Sequence, residues 1–212
     1  MAQDPDPVGT GFAVSLARPG GNITGLSNIR SELSAKRLQL LKDALPSLAR
    51  VAVLGTLATP GVKRELEEIE RAAAALMVHV QYQDISGPSD IDRSFQAASA
   101  ERADALLTLG GPILLSNRAK VVELAAKSRL PAIYHATDFV DDGGLMSYGV
   151  FVNDLFRRAA TYVDKILKGA RPAALPIEQP TKVAFVVNHK VARELGLTIP
   201  RSVLLAADRV IE

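Results

Sequence analysis

Two stretches of the sequence repeat one order of patterns: a short β-branched strand, a loop rich in Gly, Thr and Pro, an amphipathic helix, and a second strand. They cover residues 50–82 and 103–134. Strands that alternate with helices form parallel sheets, because parallel neighbours need a crossover of about a dozen residues. We therefore predict an α/β fold with a parallel, Rossmann-like sheet, helices on both faces, and strands at 51–54, 78–83, 104–109 and 131–134.

Three helix starts are predicted from capping residues. Thr59 is predicted as an N-cap, with Pro60 in the first helical position, where a missing N–H costs nothing. Ser89 and Asp92 have the spacing of a capping box, with Asp in place of Glu or Gln. Ser116 is predicted to cap the helix of the second stretch.

Composition excludes several classes of function. The 25 Lys and Arg residues nearly balance the 23 Asp and Glu residues and are scattered, which argues against nucleic-acid binding. The absence of cysteine excludes disulfides, thiol nucleophiles and cysteine metal sites. The three histidines lie far apart, so no metal site is predicted. The chain shows no apolar run of about 18 residues, and its acidic, Pro-rich start is not a signal peptide.

The sequence also lacks the motifs of common enzymes. It has no Gly-x-x-x-x-Gly-Lys-Ser/Thr, no Gly-x-Gly-x-x-Gly and no Gly-x-Ser-x-Gly. Asp138, Asp141 and Asp142 form an acidic cluster, for which acid–base work and a solvated turn are the two interpretations. The turn is favoured for Asp141 and Asp142, and both stay open for Asp138, which lies closer to the strand end. We therefore predict no catalytic residue, no cofactor and no enzyme activity.

Ligand binding is the function that the loops favour. In parallel sheets ligands sit at the carboxyl ends of the strands. The loops 55–61 and 110–116 follow such ends, and each leads into a helix N-terminus, which attracts anions. Either loop alone is equally compatible with an ordinary βα turn. Together they predict a pocket for a small carboxylate-bearing ligand.

Seven motifs occur in a fixed order along almost the whole chain: Asp6-Pro-Val-Gly-Thr-Gly-Phe, Leu16–Gly25, Ala35-Lys-Arg-Leu38, Gly143–Gly149, Ile166–Gly169, Leu175–Lys182 and Gly196–Pro200. Together they resemble one protein family, the ABC-transporter substrate-binding proteins. The resemblance implies a type I periplasmic binding protein-like fold: two Rossmann-like lobes, a hinge, and an amino acid or other small ligand in the interlobe cleft. It also implies an ABC permease as partner and a periplasmic or extracytoplasmic location.

Compared with that family, the chain looks truncated at its N-terminus, because the Asp-Pro-Val motif begins at residue 6. The resemblance implies a complete second lobe over 31–148, a three-layer sandwich. Residues 1–30 are then a first-lobe remnant and crossover, and 149–212 contain the hinge and C-terminal elements of an incomplete first lobe.

The resemblance places ligand-binding residues at three strand ends of the second lobe and on the first-lobe side. The first loop is expected to hold a ligand carboxylate, the second to offer backbone contacts, and the third to stack on the ligand through Tyr134 and pair with an ammonium through Asp138. The candidates are Thr56, Thr59, Gly61, Gly110, Gly111, Pro112, Tyr134, Asp138, Asp6 and Asn22, with Ser147 and Tyr148 as hinge.

An α/β enzyme or a small-molecule-sensing domain that uses the same cleft is the alternative function. A further expectation concerns assembly. The helix 153–168 carries an apolar stripe, and the strand 183–187 is apolar throughout, so without a complete first lobe both are predicted to stay uncovered. We predict a homo-oligomer built through residues 153–212. The stripe consists of Phe156, Ala160, Val163 and Leu167.

Overall fold

The computed structural model describes residues 4–212, apart from the side chains at positions 152 and 153. It divides into two compact units. The larger unit contains residues 30–149 and 184–212, and the smaller unit contains the residues up to 29 and 150–183.

A seven-stranded sheet forms the centre of the larger unit, in the order β2-β1-β3-β4-β5-β6-β7. Strand β1 pairs in parallel with β2 and β3, β3 with β4, β4 with β5, and β6 with β7. The four predicted strands are confirmed as parallel β1 to β4. The strands are β1 (Arg50–Gly55), β2 (His79–Asp84), β3 (Ala105–Thr108), β4 (Ala132–Tyr134), β5 (Met146–Val150), β6 (Val183–Asn188) and β7 (Arg209–Ile211).

The described part of the chain also contains nine α-helices and a short 3₁₀ turn at Pro172–Ala174. All except α7 belong to the larger unit. They are α1 (Arg30–Ala44), α2 (Val62–Leu76), α3 (Asp90–Ala100), α4 (Pro112–Ser116), α5 (Arg118–Lys127), α6 (Asp138–Asp141), α7 (Val152–Leu167), α8 (His189–Glu194) and α9 (Arg201–Ala206). No helix within residues 4–212 is long and apolar enough to cross a membrane.

Both faces of the sheet are buried. Val51, Val53 and Leu107 belong to one apolar cluster, while Ala52 and Leu54 belong to the other. Successive residues of a strand point to opposite faces, so these strands are apolar on both sides, as parallel sheets covered by helices require. The prediction of helices on both faces is confirmed.

The start of α2 differs from the prediction. Gly61, not Thr59, precedes the helix, with φ 85° and ψ −16°. The Val62 N–H donates to the Thr59 carbonyl at 3.2 Å. Pro followed by a left-handed Gly is typical of a type II turn, and this Thr59 turn (residues 59–62) delays the helix to Val62.

Neither predicted serine cap forms a capping hydrogen bond. Ser89 stands directly before α3, as predicted, but has helical dihedral angles and makes no capping hydrogen bond. The neighbouring Asp90 carboxylate instead fixes the preceding loop, because it accepts from the N–H groups of Ser86 and Gly87 at 2.9 and 3.0 Å. Ser116 is the last residue of the short helix α4, which begins at Pro112, directly after the β3 loop.

Strand β6 is not the uncovered edge that the sequence predicted. It lies between β5 and β7, and five of its six residues are buried. Residues 184–212 supply β6, α8, α9 and β7 to the larger unit, which differs from the predicted grouping of 149–212 with the first lobe. An apolar strand of this kind is typical of a sheet interior.

The smaller unit is held together by backbone pairing and by one side of α7. The Ile177 N–H donates to the Leu16 carbonyl at 2.7 Å, and the Tyr162 hydroxyl donates to the Pro176 carbonyl at 2.6 Å. Leu155 and Tyr162 are buried on α7. The predicted stripe on the helix is exposed, as expected: Phe156, Ala160, Val163 and Leu167.

Candidate ligand-binding site

The loops that follow β1 and β3 meet at the carboxyl edge of the sheet. Leu54 and Thr108 are register partners at the ends of these strands. A Cβ atom added to Gly111 would lie 3.5 Å from the Thr59 hydroxyl oxygen. Gly110 and Gly111 are buried, whereas Thr59 and Gly61 are partly exposed. The structure therefore brings these four predicted residues together.

Two other predicted residues of these loops have different roles. Thr56 is buried, and its hydroxyl donates to the Ile85 carbonyl at 2.6 Å. Its own carbonyl accepts from the Thr59 N–H at 2.8 Å, so Thr56 stabilises the loop after β1 through hydrogen bonds and does not face a ligand. Pro112 is exposed at the first position of α4.

The end of β4 contributes fewer ligand-binding groups than predicted. The Tyr134 side chain is buried and stacks on Phe139, with 4.7 Å between ring centroids and 8° between planes. Burial raises the pKa of Tyr134. The ring is therefore occupied by core packing, which contradicts the expectation that it stacks on a ligand. Asp138 is exposed in the first turn of α6.

Arg30 lies at the two meeting loops, although the sequence analysis did not single it out. It is the first residue of α1, and its Nη2 donates to the Pro60 carbonyl at 3.3 Å. A Cβ atom on Gly110 would come within 2.5 Å of Arg30 Nη1, so the guanidinium packs where only glycine leaves room. The Arg30 side chain is 18% exposed.

Glu65 of α2 joins Arg30 to a second arginine, Arg37. Glu65 Oε1 lies 3.5 Å from Arg30 Nε, and Oε2 lies 3.8 Å from Arg37 Nη1. The same Oε2 accepts from the Ser34 hydroxyl at 3.3 Å and from the Gly110 N–H at 3.2 Å. The side chains of Arg37 and Glu65 are fully buried. We call these three residues the Arg30–Arg37–Glu65 cluster.

Arg37 ties α1 to the sheet through backbone carbonyls. Its Nε donates to the Tyr148 carbonyl at 3.1 Å and its Nη1 to the Thr108 carbonyl at 3.3 Å. Burial lowers the pKa of Arg37 to about 10, while Glu65 acts in the opposite direction. The guanidinium remains charged at neutral pH, which makes the cluster a buried ionic site.

His135, which follows β4, is linked to this cluster through Thr108. The Thr108 hydroxyl lies 3.0 Å from His135 Nδ1 and accepts from the His135 N–H at 3.2 Å. Desolvation, together with the positive charges of Arg37 and Arg30, lowers the pKa of His135 well below its usual value. The imidazole is therefore neutral at neutral pH.

The predicted hinge residues lie in β5, close to a boundary between the units at 149 and 150. Ser147 is fully buried, and its hydroxyl has no hydrogen-bond partner in the described part of the chain. The Tyr148 ring meets Phe185 edge to face at 6.2 Å. Their role as a hinge stays a prediction.

Asp6 and Asn22 belong to the smaller unit. The Asp6 carboxylate accepts from the Gly9 N–H at 2.9 Å and so stabilises its own turn. Asn22 is exposed. A cavity of about 220 Å³ in the same unit, bordered by Phe151 and Arg158 among others, includes neither residue.

Sequence reasoning missed Arg30, Arg37 and Glu65 as site residues, although two signals were present. Arg37 interrupts the leucine stripe of α1, and a charge inside an apolar stripe requires a partner. Glu65 shares a buried face with Val62 and Ile69 on α2, where a carboxylate likewise requires a partner. Within residues 4–212 no group of three His, Asp or Glu side chains is arranged to hold a metal.

Comparison with known proteins agrees with this fold. The family model described as "ABC transporter substrate binding protein" matches residues 1–211. The chain belongs to this family of extracytoplasmic solute-binding proteins, which sets aside the enzyme alternative.

Individual relatives support the same class. A tyrosine-binding protein of Clostridioides difficile is 22% identical over 91% of this chain, which spans only 55% of that protein. The structure of an ABC domain from Streptococcus pneumoniae in complex with L-Trp superposes with a TM-score of 0.89 and 29% identity, over 100% of this chain and 72% of that one. A conserved domain protein of Vibrio cholerae gives 0.89 and 27%, over 97% and 69%. The type I periplasmic binding protein-like fold is thereby confirmed.

Proposed function

We propose that this chain binds a small carboxylate-bearing ligand, an amino acid, as the solute-binding component of an ABC importer. The names of two relatives support an amino acid: one is a tyrosine-binding protein and one was solved with L-Trp. An ABC permease as partner and an extracytoplasmic location are parts of the same proposal, because they follow from the family.

The observation that carries the proposal is the meeting of two glycine-containing loops at neighbouring strand ends. Thr59 and Gly111 approach each other there, and the helix α2 begins immediately behind the Thr59 turn. The N-terminus of a helix favours negative charge, and carboxyl ends of parallel strands are the usual ligand position. A ligand carboxylate fits this position by charge and by the small size of the loop residues.

Other residues complete the proposal. Asp138 is an exposed carboxylate after β4, suited to an ammonium group. Asp6 and Asn22 of the smaller unit, and Ser147 and Tyr148 as hinge, keep the roles that the family resemblance implies.

Calorimetry with matched ligands tests this function. We expect L-Trp or L-Tyr to bind, and tryptamine and tyramine, which lack the carboxylate, to bind at least about 10-fold more weakly. Thr59→Ala should weaken L-amino-acid binding, while Thr161→Ala, an exposed threonine on α7, should not. Absence of binding by all twenty amino acids, or equal binding of the amines, would contradict the proposal.

We also propose that two copies associate through the exposed stripe of α7. Phe156 and Val163 are each 56% exposed, and Leu167 is 82% exposed. Exposed apolar patches of this kind mark interaction surfaces. The proposed interface therefore consists of the α7 stripe and not of all residues 153–212, since β6 lies inside the sheet of the larger unit.

A further inference from the structure

Two guanidinium groups share one carboxylate in the Arg30–Arg37–Glu65 cluster. Arg37 and Glu65 are fully buried, so the field between them and Arg30 is little screened by water. The remaining contacts of Arg37 are backbone carbonyls, which carry no net charge. The three side chains of the cluster together carry one more positive than negative charge.

Burial, followed by the positive charges of Arg37 and Arg30, lowers the pKa of the neighbouring His135 imidazole. His135 therefore adds no positive charge of its own, and it adds no negative charge that would offset the arginines.

The approach is open at Arg30. Its side chain is 18% exposed, whereas those of Arg37 and Glu65 are not exposed. Its guanidinium is in contact with both loops of the candidate site, through the Pro60 carbonyl on one and against Gly110 on the other. An anion held at these loops would thus lie beside the guanidinium.

We infer that Arg30 pairs with the carboxylate of the ligand and makes the site selective for carboxylates, with Glu65 and Arg37 as positioning residues. The identity of the ligand rests on the proposed function, but the charge assignment does not. Arg30 offers a planar fork of donors that matches a carboxylate. Glu65 attracts the Arg30 guanidinium across 3.5 Å between Oε1 and Nε. The Arg37 guanidinium fixes α1 to β3 and β5.

The test measures binding of L-Trp, L-Tyr and acetate to the full chain and to three variants. Arg30→Gln should weaken L-Trp or L-Tyr binding by about 10- to 100-fold, the range expected for a charge-assisted hydrogen bond. Arg30→Lys keeps the charge without the fork and should recover part of the loss. Arg71→Gln, on the exposed side of α2, is the matched control and should bind as the unmodified chain does.

Selectivity separates a ligand contact from a structural role. Arg30→Gln should leave the weak binding of tryptamine and tyramine unchanged, because those amines have no carboxylate to lose. Equal loss for acids and amines would overturn the inference and indicate a purely structural arginine. Circular dichroism and the Tm of each variant without ligand establish that it is folded; should Arg30→Gln fail to fold, Arg30→Lys gives the same acid-against-amine comparison.

Acetate separates this inference from the proposed function. Acetate should raise the Tm of the unmodified chain above that in chloride at equal ionic strength, and Arg30→Gln should abolish the difference. If no amino acid binds but the acetate effect depends on Arg30, the amino-acid function fails and the carboxylate site stands. If neither acetate nor any amino acid depends on Arg30, the inference is wrong.

Discussion

Helices α2 and α7 have almost the same length and the same amphipathic pattern, yet the apolar stripe of α2 lies in the core and that of α7 is exposed. On α2, Val62 and Ile69 are fully buried in the larger unit. On α7, Phe156 and Val163 remain 56% exposed in the smaller unit. The pattern therefore shows that a stripe needs a partner surface, and only the structure shows whether the chain supplies it.

The two units differ in what lies behind each helix. In the larger unit a seven-stranded sheet offers apolar residues on both faces, and α2 packs its stripe into this core, with Val62, Ile69 and Ala73 buried. In the smaller unit the buried apolar side chains among the described residues of α7 are Leu155 and Tyr162. Since burial stabilises by about 25 cal/mol per Å², the exposed stripe contributes nothing until another surface covers it.

The largest effect is expected from Glu65→Ala, which tests how tightly the larger unit depends on its buried charges. Removing the carboxylate leaves Arg37 buried without its ionic partner, and we expect a loss of about 3–5 kcal/mol in the free energy of unfolding. Urea denaturation measures it. Glu68→Ala removes a surface pair with Arg71 on the same helix and should cost no more than about 1 kcal/mol. Equal losses would contradict the buried pairing.

A second variant pair compares the two stripes directly. Ile69→Ala in α2 should destabilise the chain by about 2–5 kcal/mol, because it opens a cavity in the core. Leu167→Ala removes an isomeric side chain from an 82% exposed position of α7 and should change stability by less than about 0.5 kcal/mol. A large loss for Leu167→Ala would show that α7 is covered in solution.

The pH dependence of stability tests the neutral state of His135. Its pKa is lowered in the folded chain, so an unfolded chain with an ordinary value of about 6.5 binds the proton first as the pH falls. Stability should decrease below about pH 6.5, by at most about 1.4 kcal/mol per pH unit. His135→Gln should flatten this part of the profile, and His79→Gln, at an exposed strand position, should not. Parallel pH profiles of stability for the unmodified chain and both variants would contradict a neutral His135.

Phe156→Ser is expected to have the smallest effect on stability and the largest effect on assembly. Phe156→Ser should change the free energy of unfolding by less than about 0.5 kcal/mol, because the side chain is already exposed. Light scattering at micromolar concentration should show an oligomer for the unmodified chain and a shift toward monomer for Phe156→Ser. Phe12→Ser, at a phenylalanine 47% exposed in the same unit, should not shift the mass. A monomeric unmodified chain would contradict the proposed interface.

Much of the fold was predictable, because period-2 runs and helical stripes act over short distances. The parallel strands β1 to β4 and the amphipathic helix α2 were predicted from such patterns. The start of α2 was not, because two local preferences compete at Thr59: an N-cap, and the turn that Pro60 and Gly61 form together. The turn prevails because glycine adopts its left-handed position without strain.

The candidate site was less predictable, because it depends on contacts between distant residues. The loops at Thr59 and Gly110 followed from the strand ends. The expected role of Tyr134 was wrong. An aromatic residue at a strand end can face either a ligand or the core, and here stacking on Phe139 places the ring in the core. The meeting of Arg30 with Glu65 joins two helices, and no local pattern encodes that distance.

The absence of a side chain at Gly110 leaves the space in which the Arg30 guanidinium lies. The space that a methyl group would fill at this position is taken by the Arg30 guanidinium, 2.5 Å from where that carbon would stand. A single carbon atom is therefore enough to displace the arginine while every formal charge in the chain stays the same. If Arg30 pairs with the ligand carboxylate as proposed, a substitution at position 110 changes ligand selectivity through the position of the guanidinium and leaves the net charge of the chain unchanged.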